Sequence, residues 1–553
     1  MAILSDDGGP FSAWGVKQVR SVRVLVLAVL STLLTVPLST LAKPNVILFT
    51  VDSCRADRFG TFGYRGRTTP NIDRWARSGT IFRSAYSTSA WTAPGLASLL
   101  TGLYPRVHGI DSRDRMGAAT LMTLVKMFRA AGYRVPNLNF FTFAPYYLHL
   151  GLPPIDREYL GGRESAAILN WLSKNATADG HPFFVWYHTT TVHQPYRPEA
   201  SELPAPLAEL EKRPGIRAVL NGAIVPFGST RFDPEDKPIL DALYDGEMRR
   251  VDRLFGQMLE LLRDRGLADS TLIILSADHG EELLDHGFVG HASTSLHAKL
   301  YEELIHIPLI LSWPGHVPEG LVVADPVSQV DVLPTVARLL GLEAPHGVQG
   351  IDLFQSRPDR PLYLESVSGG NQTPKSRENE WIRAIRLGRW KYISTEELYD
   401  LVLDPTEETN VIGQEPTVAD RLRSRMADFF SQCDALSKTL FPAQPEPSPA
   451  GPITQCPRIF TPGDGTVLDY DLHTGALLFD WEGDMETSYL IEYDIGTGDH
   501  HVEGEYEVQG NHQVFGPLPR ELWTNMKEWN PFRIRISPKQ SPPCWSQWVE
   551  FRF

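Results

Sequence analysis

Apolar runs of strand length alternate with amphipathic stretches of helix length along residues 44–435. The runs Asn45–Val51 and Thr271–Ser276 are continuous, which is typical of parallel strands buried on both faces. Similar runs at residues 181–188 and 304–313 predict two further strands. An amphipathic helix that ends at Gly132 is predicted from the apolar positions Leu121, Leu124, Val125 and Phe128. This alternation predicts an α/β fold with a mainly parallel sheet flanked by helices on both faces.

The pattern changes after residue 455, where apolar and polar positions alternate in short segments separated by glycine-containing turns. Such alternation predicts half-buried antiparallel strands, and therefore an all-β sandwich that resembles a fibronectin type III module. The predicted strands cover residues 476–481, 489–493, 505–508, 532–536 and 548–553. No cluster of metal ligands or nucleophiles stands out in this part of the sequence. We interpret it as a spacer, a glycan-adhesion module or a purely structural unit.

Polar residues with metal-binding side chains follow the two continuous strand runs directly. Asp52 comes after the first run, and Asp278 and His279 come after the second. Ligands of open α/β sheets gather at the carboxyl ends of the strands, so these side chains are expected to meet at one edge. Two carboxylates and an imidazole there predict a site for a divalent cation.

Thr92 begins a predicted helix over residues 92–102. Pro94 suits the first turn of this helix, and Gly102 suits its C-terminal cap. A hydroxyl at the positive end of a helix dipole, beside a divalent cation, can act as a nucleophile near neutral pH. The alternative interpretation is that Thr92 is only an N-cap, since threonine is a favoured residue at that position.

The first 42 residues are predicted to be a targeting segment. Three basic residues precede the apolar run 24–38, and residues 40–42 (Thr-Leu-Ala) offer a small-residue cleavage site before Lys43. Because the run is short and contains Pro37, a cleaved signal peptide is favoured over a membrane anchor. We expect an exported protein, periplasmic or secreted, with no stable membrane span after cleavage.

The length of 553 residues allows one large domain and one smaller domain. Residues 43–440 are assigned to the large domain, the proline-rich residues 441–455 to a stiff linker, and residues 456–553 to the sandwich. The net charge of −15 argues against nucleic acid as the main partner.

Four cysteines fit an exported protein. Cys456 and Cys544 bracket the sandwich and could form a disulfide, although Cys433 could compete for Cys456. Cys54 is interpreted as a small buried side chain behind the site, with a catalytic thiol as the alternative.

Several ordered motifs resemble the sulfatase family of the alkaline phosphatase superfamily. They stand at residues 51–57 (Val-Asp-Ser-Cys-Arg-Ala-Asp), 69–73 (Thr-Pro-Asn-Ile-Asp), 98–105, 193–196 (His-Gln-Pro-Tyr), 244–247, 278–281 (Asp-His-Gly-Glu), 301–308, 331–335 and 397–401. Each motif is short, and their collinear order from about residue 44 to about residue 430 makes the resemblance specific. The resemblance implies an alkaline phosphatase/sulfatase-like fold and a metal-dependent ester hydrolase.

The sequence departs from the sulfatase pattern at several positions. Sulfatases have a Cys or Ser, oxidised to formylglycine, where this chain has Thr92, and oxidation of a threonine hydroxyl yields a ketone instead of that aldehyde. The family's next arginine is Leu96, its second Asp after the first strand is Ser53, and its Gly-Lys-Trp-His-Leu-Gly segment is absent. A Thr nucleophile with Asp-His ligation resembles the phosphodiesterases and phosphoglycerol transferases of the superfamily more closely.

The resemblance also implies roles for particular residues. The predicted ligands of one divalent ion (Mn, Zn, Mg or Ca) are Asp52, Thr92, Asp278 and His279. His193 and His297 match positions where sulfatases place groups that touch the scissile ester, and either could protonate the leaving oxygen. Lys299 is the alternative cation for substrate binding. The remaining histidines of this region, His286, His291 and His306, are expected to be structural, although His286 or His291 could complete a second metal site.

Three functional classes follow from these residues. The first is an exported hydrolase of phosphate or sulfate esters that uses Thr92, with phosphate esters favoured. The second is a transferase that passes a phosphoryl-type group from Thr92 to an alcohol, and the third is a non-catalytic binding protein on a decayed sulfatase fold. The expected substrate is an anionic ester derived from a lipid or a glycan.

Overall fold

The strand β1 (Asn45–Val51) lies inside the six-stranded sheet that the structure describes, and all seven of its residues are buried. In the computed structural model it pairs in parallel with β4 (Phe184–Thr189) on one side and with β5 (Thr271–Ala277) on the other. The predicted strands at both continuous apolar runs are confirmed, and β5 is one residue longer than expected. Their unbroken apolar sequences reflect burial on both faces of the sheet.

The structure describes most of the chain after residue 42. The described residues are 43–111, 117–139, 142, 145–159, 166–176, 181–222, 230–292, 299–367, 381–442, 456–461, 466–468, 477–481, 488–497, 500–509, 512–515, 526–527, 530–539 and 544–552. The predicted signal peptide and most of the predicted linker lie outside these residues. None of the helices within the described ranges is both long enough and apolar enough to cross a membrane.

The remaining strands before the sandwich fall into four sheets. Their bounds are β2 Thr80–Phe82, β3 Ala85–Tyr86, β6 Glu282–Leu283, β7 Val289–Gly290, β8 His306–Ile307, β9 Leu309–Ser312, β10 Leu321–Val323, β11 Val327–Ser328, β12 Leu362–Val367, β13 Trp381–Leu387, β14 Trp390–Ile393 and β15 Glu397–Asp400. The main sheet has six described strands in the order β10-β2-β9-β5-β1-β4. Only β9 runs antiparallel to its neighbours in this sheet, so the mainly parallel arrangement is confirmed.

The described α-helices flank the main sheet and connect its strands. Their bounds are α1 Pro70–Ala76, α2 Thr92–Thr101, α3 Pro105–His108, α4 Leu124–Ala130, α5 Ala167–Asn175, α6 Leu207–Leu210, α7 Pro214–Leu220, α8 Asp236–Asp264, α9 Glu302–Ile305, α10 Val332–Leu340 and α11 Pro416–Leu440. Short 3-10 helices cover residues 56–58, 60–62, 145–150, 157–159, 200–202, 268–270 and 329–331. The predicted helix that ends before Gly132 is confirmed as α4, with Thr123 as its N-cap, although Leu121 precedes it.

The strand predicted over residues 304–313 is wrong in its extent. The segment begins as helix α9, continues as β8 and then becomes β9 in a different sheet. Pro308 stands between the two strands, and it has no N–H group to continue a ladder. The antiparallel sheet β12-β13-β14-β15 was not predicted from the sequence. Its strands pack with α11 around a second apolar cluster.

The described part of the C-terminal region consists of mainly antiparallel strands arranged in two sheets, as expected for a β-sandwich, and only β17 and β23 pair in parallel. The strands are β16 Ile459–Thr461, β17 Thr466–Val467, β18 Leu477–Trp481, β19 Ser488–Thr497, β20 His500–Gln509, β21 His512–Phe515, β22 Phe532–Pro538 and β23 Val549–Arg552. Cys456 and Cys544 form a disulfide, so the alternative pairing with Cys433 is wrong. Cys433 and Cys54 are free and buried.

Candidate metal centre and active site

Asp52 and Asp278 lie side by side because they follow two directly paired strands. Val51 of β1 is in register with Ala277 of β5, so the next residue of each strand reaches the same edge of the sheet. Asp52 is 4 % exposed and Asp278 is fully buried. The Ser53 backbone N–H donates to Asp278 Oδ1 at 3.1 Å, and the Ser53 hydroxyl donates to Asp52 Oδ1 at 3.0 Å. The sequence-based pairing of these two carboxylates agrees with the structure.

Two imidazoles face this pair of carboxylates. His279 Nε2 lies 3.4 Å from Asp278 Oδ2 and 3.7 Å from Asp52 Oδ1. His188, near the end of β4, places Nε2 at 3.4 Å from Asp52 Oδ2 and 3.7 Å from Asp278 Oδ2. We call these four residues, Asp52, His188, Asp278 and His279, the metal centre.

Hydrogen bonds on the far side of each imidazole orient both rings. His279 Nδ1 donates to the Gly280 carbonyl at 2.7 Å. His188 Nδ1 lies 2.9 Å from Thr50 Oγ1, whose own proton is directed to the Tyr187 carbonyl. A cation bound at His188 Nε2 would place the ring proton on Nδ1, where Thr50 Oγ1 is its acceptor. His279 Nδ1 already donates to a carbonyl, so His279 Nε2 carries its lone pair toward the carboxylates. Such outer hydrogen bonds are typical of metal-binding histidines.

The residues of the metal centre fit a divalent cation. Asp52, His188 and Asp278 offer ligand atoms that lie within 4.8 Å of one another, and all three are buried. Asp278 Oδ2 is buried and accepts no hydrogen bond from any residue that the structure describes. The two carboxylates and the Nε2 atoms of the two imidazoles face one another in a buried space. A positive ion between them would offset the repulsion of their negative charges and lone pairs. A mixed nitrogen and oxygen set suits Zn²⁺ or Mn²⁺ better than Ca²⁺, which prefers oxygen ligands.

The protonation of the centre follows from burial and from neighbouring charge. Burial raises the pKa of Asp278 well above its usual value, and the adjacent Asp52 carboxylate raises it further. Burial also acts to raise the pKa of Asp52, but His193, His188 and His279 together hold that pKa well below its usual range. Burial lowers the pKa of His279, which favours the neutral imidazole that a metal requires.

Thr92 lies beside the metal centre at the start of helix α2. Its Oγ1 is 3.3 Å from His279 Nε2. The N-cap of α2 is Trp91, and no side chain caps the helix, so the interpretation of Thr92 as an N-cap is wrong. Helix α2 ends at Gly102 in the left-handed conformation, as expected for a glycine C-cap.

Gly95 allows helix α2 to approach the metal centre closely. A Cβ atom at this position would lie 2.5 Å from the Asp278 carbonyl oxygen, which is shorter than the van der Waals contact distance between a carbon and an oxygen atom. The Gln329 side chain donates to the Gly95 carbonyl at 2.8 Å and secures the same turn from the other side. Tertiary packing therefore holds the first turn of α2, with Thr92, against the strand end that carries Asp278.

Two further histidines and a glutamate border the centre. The His291 ring lies 4.4 Å from the His279 ring and 5.0 Å from the His193 ring, measured between centroids. His291 Nδ1 is 2.8 Å from Glu281 Oε1, and both residues are fully buried. His193 Nδ1 donates to the Gln194 carbonyl at 2.6 Å. Burial raises the pKa of Glu281 to about 8.

Three other residues were singled out from the sequence. The Lys299 ammonium lies 3.6 Å from Glu397 Oε1 and 5.5 Å from the centroid of the Tyr301 ring, and its role in substrate binding stays a prediction. His297 lies outside the described residues. His306 Nε2 donates to the Arg83 carbonyl at 2.8 Å and the ring stacks on Tyr86, in keeping with a structural role.

His188 is the residue of the metal centre that the sequence analysis did not assign to the site. His188 stands at the end of a predicted strand, as Asp52 and Asp278 follow the ends of theirs. The sequence did not show that this strand lies beside β1, so His188 could not be assigned to the same edge of the sheet. His291 was expected to be structural or part of a second metal site, and it lies next to His279 and His193.

Comparisons with known proteins agree with the fold. The family model named Sulfatase matches residues 44–342, and the model named N-sulphoglucosamine sulphohydrolase, C-terminal, matches residues 297–432. The ulvan-active sulfatase of Formosa agariphila is 24% identical over 420 residues, covering 67% of this chain and 78% of that protein.

Two solved structures are similar in fold. The phosphonate monoester hydrolase of Agrobacterium radiobacter has a TM-score of 0.56 and 21% identity, covering 71% of this chain and 96% of its own. A protein in complex with its substrate D-glucosamine-2-N,6-O-disulfate has a TM-score of 0.56 and 18% identity, covering 71% of this chain and 98% of its own. In both cases the similarity covers 71% of this chain, and it agrees with the α/β architecture.

Proposed function

This chain belongs to the sulfatase family of ester hydrolases, and from that premise we propose that it cleaves phosphate or sulfate esters with Thr92 as the nucleophile and a divalent cation as cofactor. We propose further that phosphate esters are the better substrates. One observation carries the proposal: Thr92 Oγ1 lies 3.3 Å from His279 Nε2, beside the two carboxylates of the metal centre.

The cofactor would be held by Asp52, His188, Asp278 and His279. When bound, a divalent cation supplies positive charge that favours the ionised form of a neighbouring hydroxyl and stabilises charge on an ester oxygen. Thr92 stands at the first position of a helix, where the helix dipole adds to the positive potential. The two imidazoles favour Zn²⁺ or Mn²⁺ over Ca²⁺ and Mg²⁺, which prefer oxygen ligands.

The chain's own residues have defined roles in the proposed reaction. Thr92 gives its proton to solvent, and its Oγ1 forms a bond to phosphorus or sulfur while the bond to the leaving alcohol oxygen breaks. The alcohol leaves with a proton from His193, whose ring lies at the edge of the site. Water then attacks the phosphorus or sulfur of the modified Thr92, gives one proton to neutral His193 and keeps the other in the hydroxyl of the product, while the Thr92 oxygen leaves and takes up a proton from solvent.

The preference for phosphate follows from the chemistry of this second step. Thr92 cannot form the aldehyde that sulfatases use to expel sulfate from a hemiacetal. Water must therefore attack the central atom of the intermediate directly. A phosphoryl group presents more negative charge to the cation and to the dipole of α2 than a sulfuryl group does, so its release is better assisted.

Relatives support an anionic ester on a saccharide as the substrate class. One relative is named as active on ulvan, and one structural neighbour holds a disulfated glucosamine as its substrate. A phosphonate monoester hydrolase among the structural neighbours supports a phosphorus centre. We also propose that the protein is exported, and N-terminal sequencing of the mature chain should find Lys43 as its first residue.

Substitution of Thr92 tests the proposed nucleophile. Thr92→Ala should lose about three or more orders of magnitude in kcat, as is typical when a nucleophile is removed. Thr92→Ser should retain part of the rate, because its primary hydroxyl can still attack. Rates should be measured on aryl phosphate monoester, aryl phosphodiester and aryl sulfate, with circular dichroism to verify that each variant is folded.

Intact-mass spectrometry after a quenched turnover should detect a phosphoryl adduct, and peptide mapping should locate it on Thr92. Wild-type activity in Thr92→Ala would remove the nucleophile role. Strong sulfatase activity without phosphatase activity would overturn the substrate preference while leaving family membership intact. Transfer of the phosphoryl group to an added alcohol in excess of hydrolysis would instead favour the transferase alternative.

A further inference from the structure

A second group of metal-binding side chains lies outside the active site. It consists of Glu282, His286 and Glu303, and we call it the Glu282 cluster. The three side chains offer ligand atoms that lie within 4.8 Å of one another. Glu282 and Glu303 are buried, and the strand pair β6–β7 holds Glu282 and His286 opposite helix α9, which carries Glu303.

The orientation of His286 directs one ring nitrogen at both carboxylates. His286 Nε2 lies 3.3 Å from the Glu407 carbonyl oxygen, which can only accept a hydrogen bond. The Nε2 proton is therefore used there, and Nδ1 lies 2.6 Å from Glu303 Oε1 and 3.8 Å from Glu282 Oε2. The ring is stacked on Tyr301 with centroids 3.8 Å apart, so it cannot turn away. A nitrogen so placed requires a proton or a metal ion between itself and the carboxylates.

The negative charge of the cluster is not balanced by nearby lysine. Lys391 lies 3.2 Å from Glu302 Oε1 and 2.8 Å from Glu407 Oε1, so its charge is used by those two residues. Arg55 is likewise bound to Asp57 and Asp285. With His286 protonated, the cluster holds two carboxyl groups and one positive charge, so either a proton on one carboxyl group or a cation must complete the charge balance.

Glu282 Oε2 gives independent evidence for a missing partner. Glu282 is fully buried, and its Oε1 accepts a hydrogen bond from the His286 backbone N–H at 2.5 Å. Its Oε2 points into the cluster and receives no hydrogen bond from any residue in the described ranges. A buried carboxylate oxygen without a donor is costly, whereas a cation satisfies it directly.

We propose that Glu282, His286 and Glu303 bind a second divalent cation with a structural role. Two carboxylates and one imidazole suit Zn²⁺ or Mn²⁺, and the buried position suits a closed structural site. The ion would fasten the segment 281–286 to helix α9, where the Glu281 backbone N–H already donates to the Glu303 carbonyl at 3.0 Å. That segment carries Glu281, which holds His291 at the active site.

Metal content in four chains separates the two sites. Wild type, Asp278→Asn, Glu282→Gln and the double variant should be loaded with Zn²⁺ or, separately, Mn²⁺, freed of loose metal and analysed by mass spectrometry for metal per chain. We expect two ions in the wild type, one in each single variant and none in the double variant. Glu408→Gln changes an exposed glutamate next to Glu407, whose carbonyl contacts His286; it is the matched control and should keep both ions.

Equal metal content in the wild type and in Glu282→Gln would overturn the proposal and show that the cluster holds protons instead. If the metal centre of the active site binds no ion, the wild type and Asp278→Asn will have equal metal content, which is a distinct outcome. If Glu282→Gln does not fold, anomalous diffraction from zinc-loaded wild-type crystals replaces it. A peak among Glu282, His286 and Glu303 supports the second site, and a zinc peak confined to the first site refutes it.

Discussion

Thr50→Val should weaken metal binding although Thr50 touches no metal ion. Thr50 Oγ1 accepts a hydrogen bond from Trp186 Nε1 at 3.0 Å and lies 2.9 Å from His188 Nδ1. Valine has nearly the same shape as threonine but offers no acceptor. The substitution therefore removes the group that directs His188 Nε2 toward Asp52 and Asp278, while it leaves all four residues of the metal centre in place.

The structure allows two magnitudes to be assigned. Loss of an outer hydrogen bond to a metal-binding histidine typically weakens metal affinity by about 10- to 100-fold, or about 1.4–2.7 kcal/mol. Stability of the metal-free chain should fall separately, because two buried N–H donors, Trp186 Nε1 and His188 Nδ1, lose their acceptor. Each such donor costs about 1–3 kcal/mol when it is left without a partner. Thr50→Ser keeps the hydroxyl and is the matched control.

Metal affinity should be measured by competition with a chromophoric chelator, and stability should be measured by urea unfolding of the metal-free chains. We expect Thr50→Ser to remain within a few-fold of the wild type in affinity, and Thr50→Val to fall well below it. If the two variants bind metal equally, then His188 is not a ligand or its orientation does not depend on Thr50. A loss of stability without any loss of affinity would lead to the same conclusion.

Three further predictions follow from particular residues. Asp278→Ala should abolish bound metal at the first site and hydrolysis together, and full activity after exhaustive chelation would contradict the proposed cofactor. Truncation after residue 440, where α11 ends, should leave a soluble and active N-terminal domain, and an aggregated or inactive product would show that the β-sandwich is required. Burial raises the pKa of Glu365 from 4.5 to about 7, so the folded chain holds a proton between these pH values that the unfolded chain releases. Stability should therefore fall as the pH rises through that window, and Glu365→Gln should flatten the slope in denaturant unfolding at pH 5 and pH 8; an unchanged slope would exclude Glu365 as its source.

The sequence alone was sufficient to locate the strands that carry the two carboxylates. Runs of apolar residues such as Asn45–Val51 need two covered faces, and a polar residue directly after such a run stands at the strand end. Asp52, Asp278 and His279 could therefore be assigned to one edge before any distance was known. Thr92 could be placed at a helix start from Pro94 and Gly102, which are local signals.

Errors arose where local signals depend on distant segments. Residues 304–313 look like one strand, but Pro308 divides them between two sheets whose neighbours are far away in the sequence. The ion pair of Lys299 with Glu397 could not be predicted either, because it is decided by how β15 packs against the segment after residue 298.

Local hydrophobic pattern, turn residues and strand-end polarity thus determined the α/β class, the C-terminal β-strands and three residues of the metal centre. Tertiary structure alone decided that His188 is the fourth, because β4 lies beside β1 in the sheet order and brings His188 into register with Thr50. Packing likewise decided that Glu281 holds His291 beside His279, and that Gly95 lets α2 carry Thr92 against Asp278. The physical reason is that side chains far apart in sequence meet through pairing register and close packing, which no local window of residues contains.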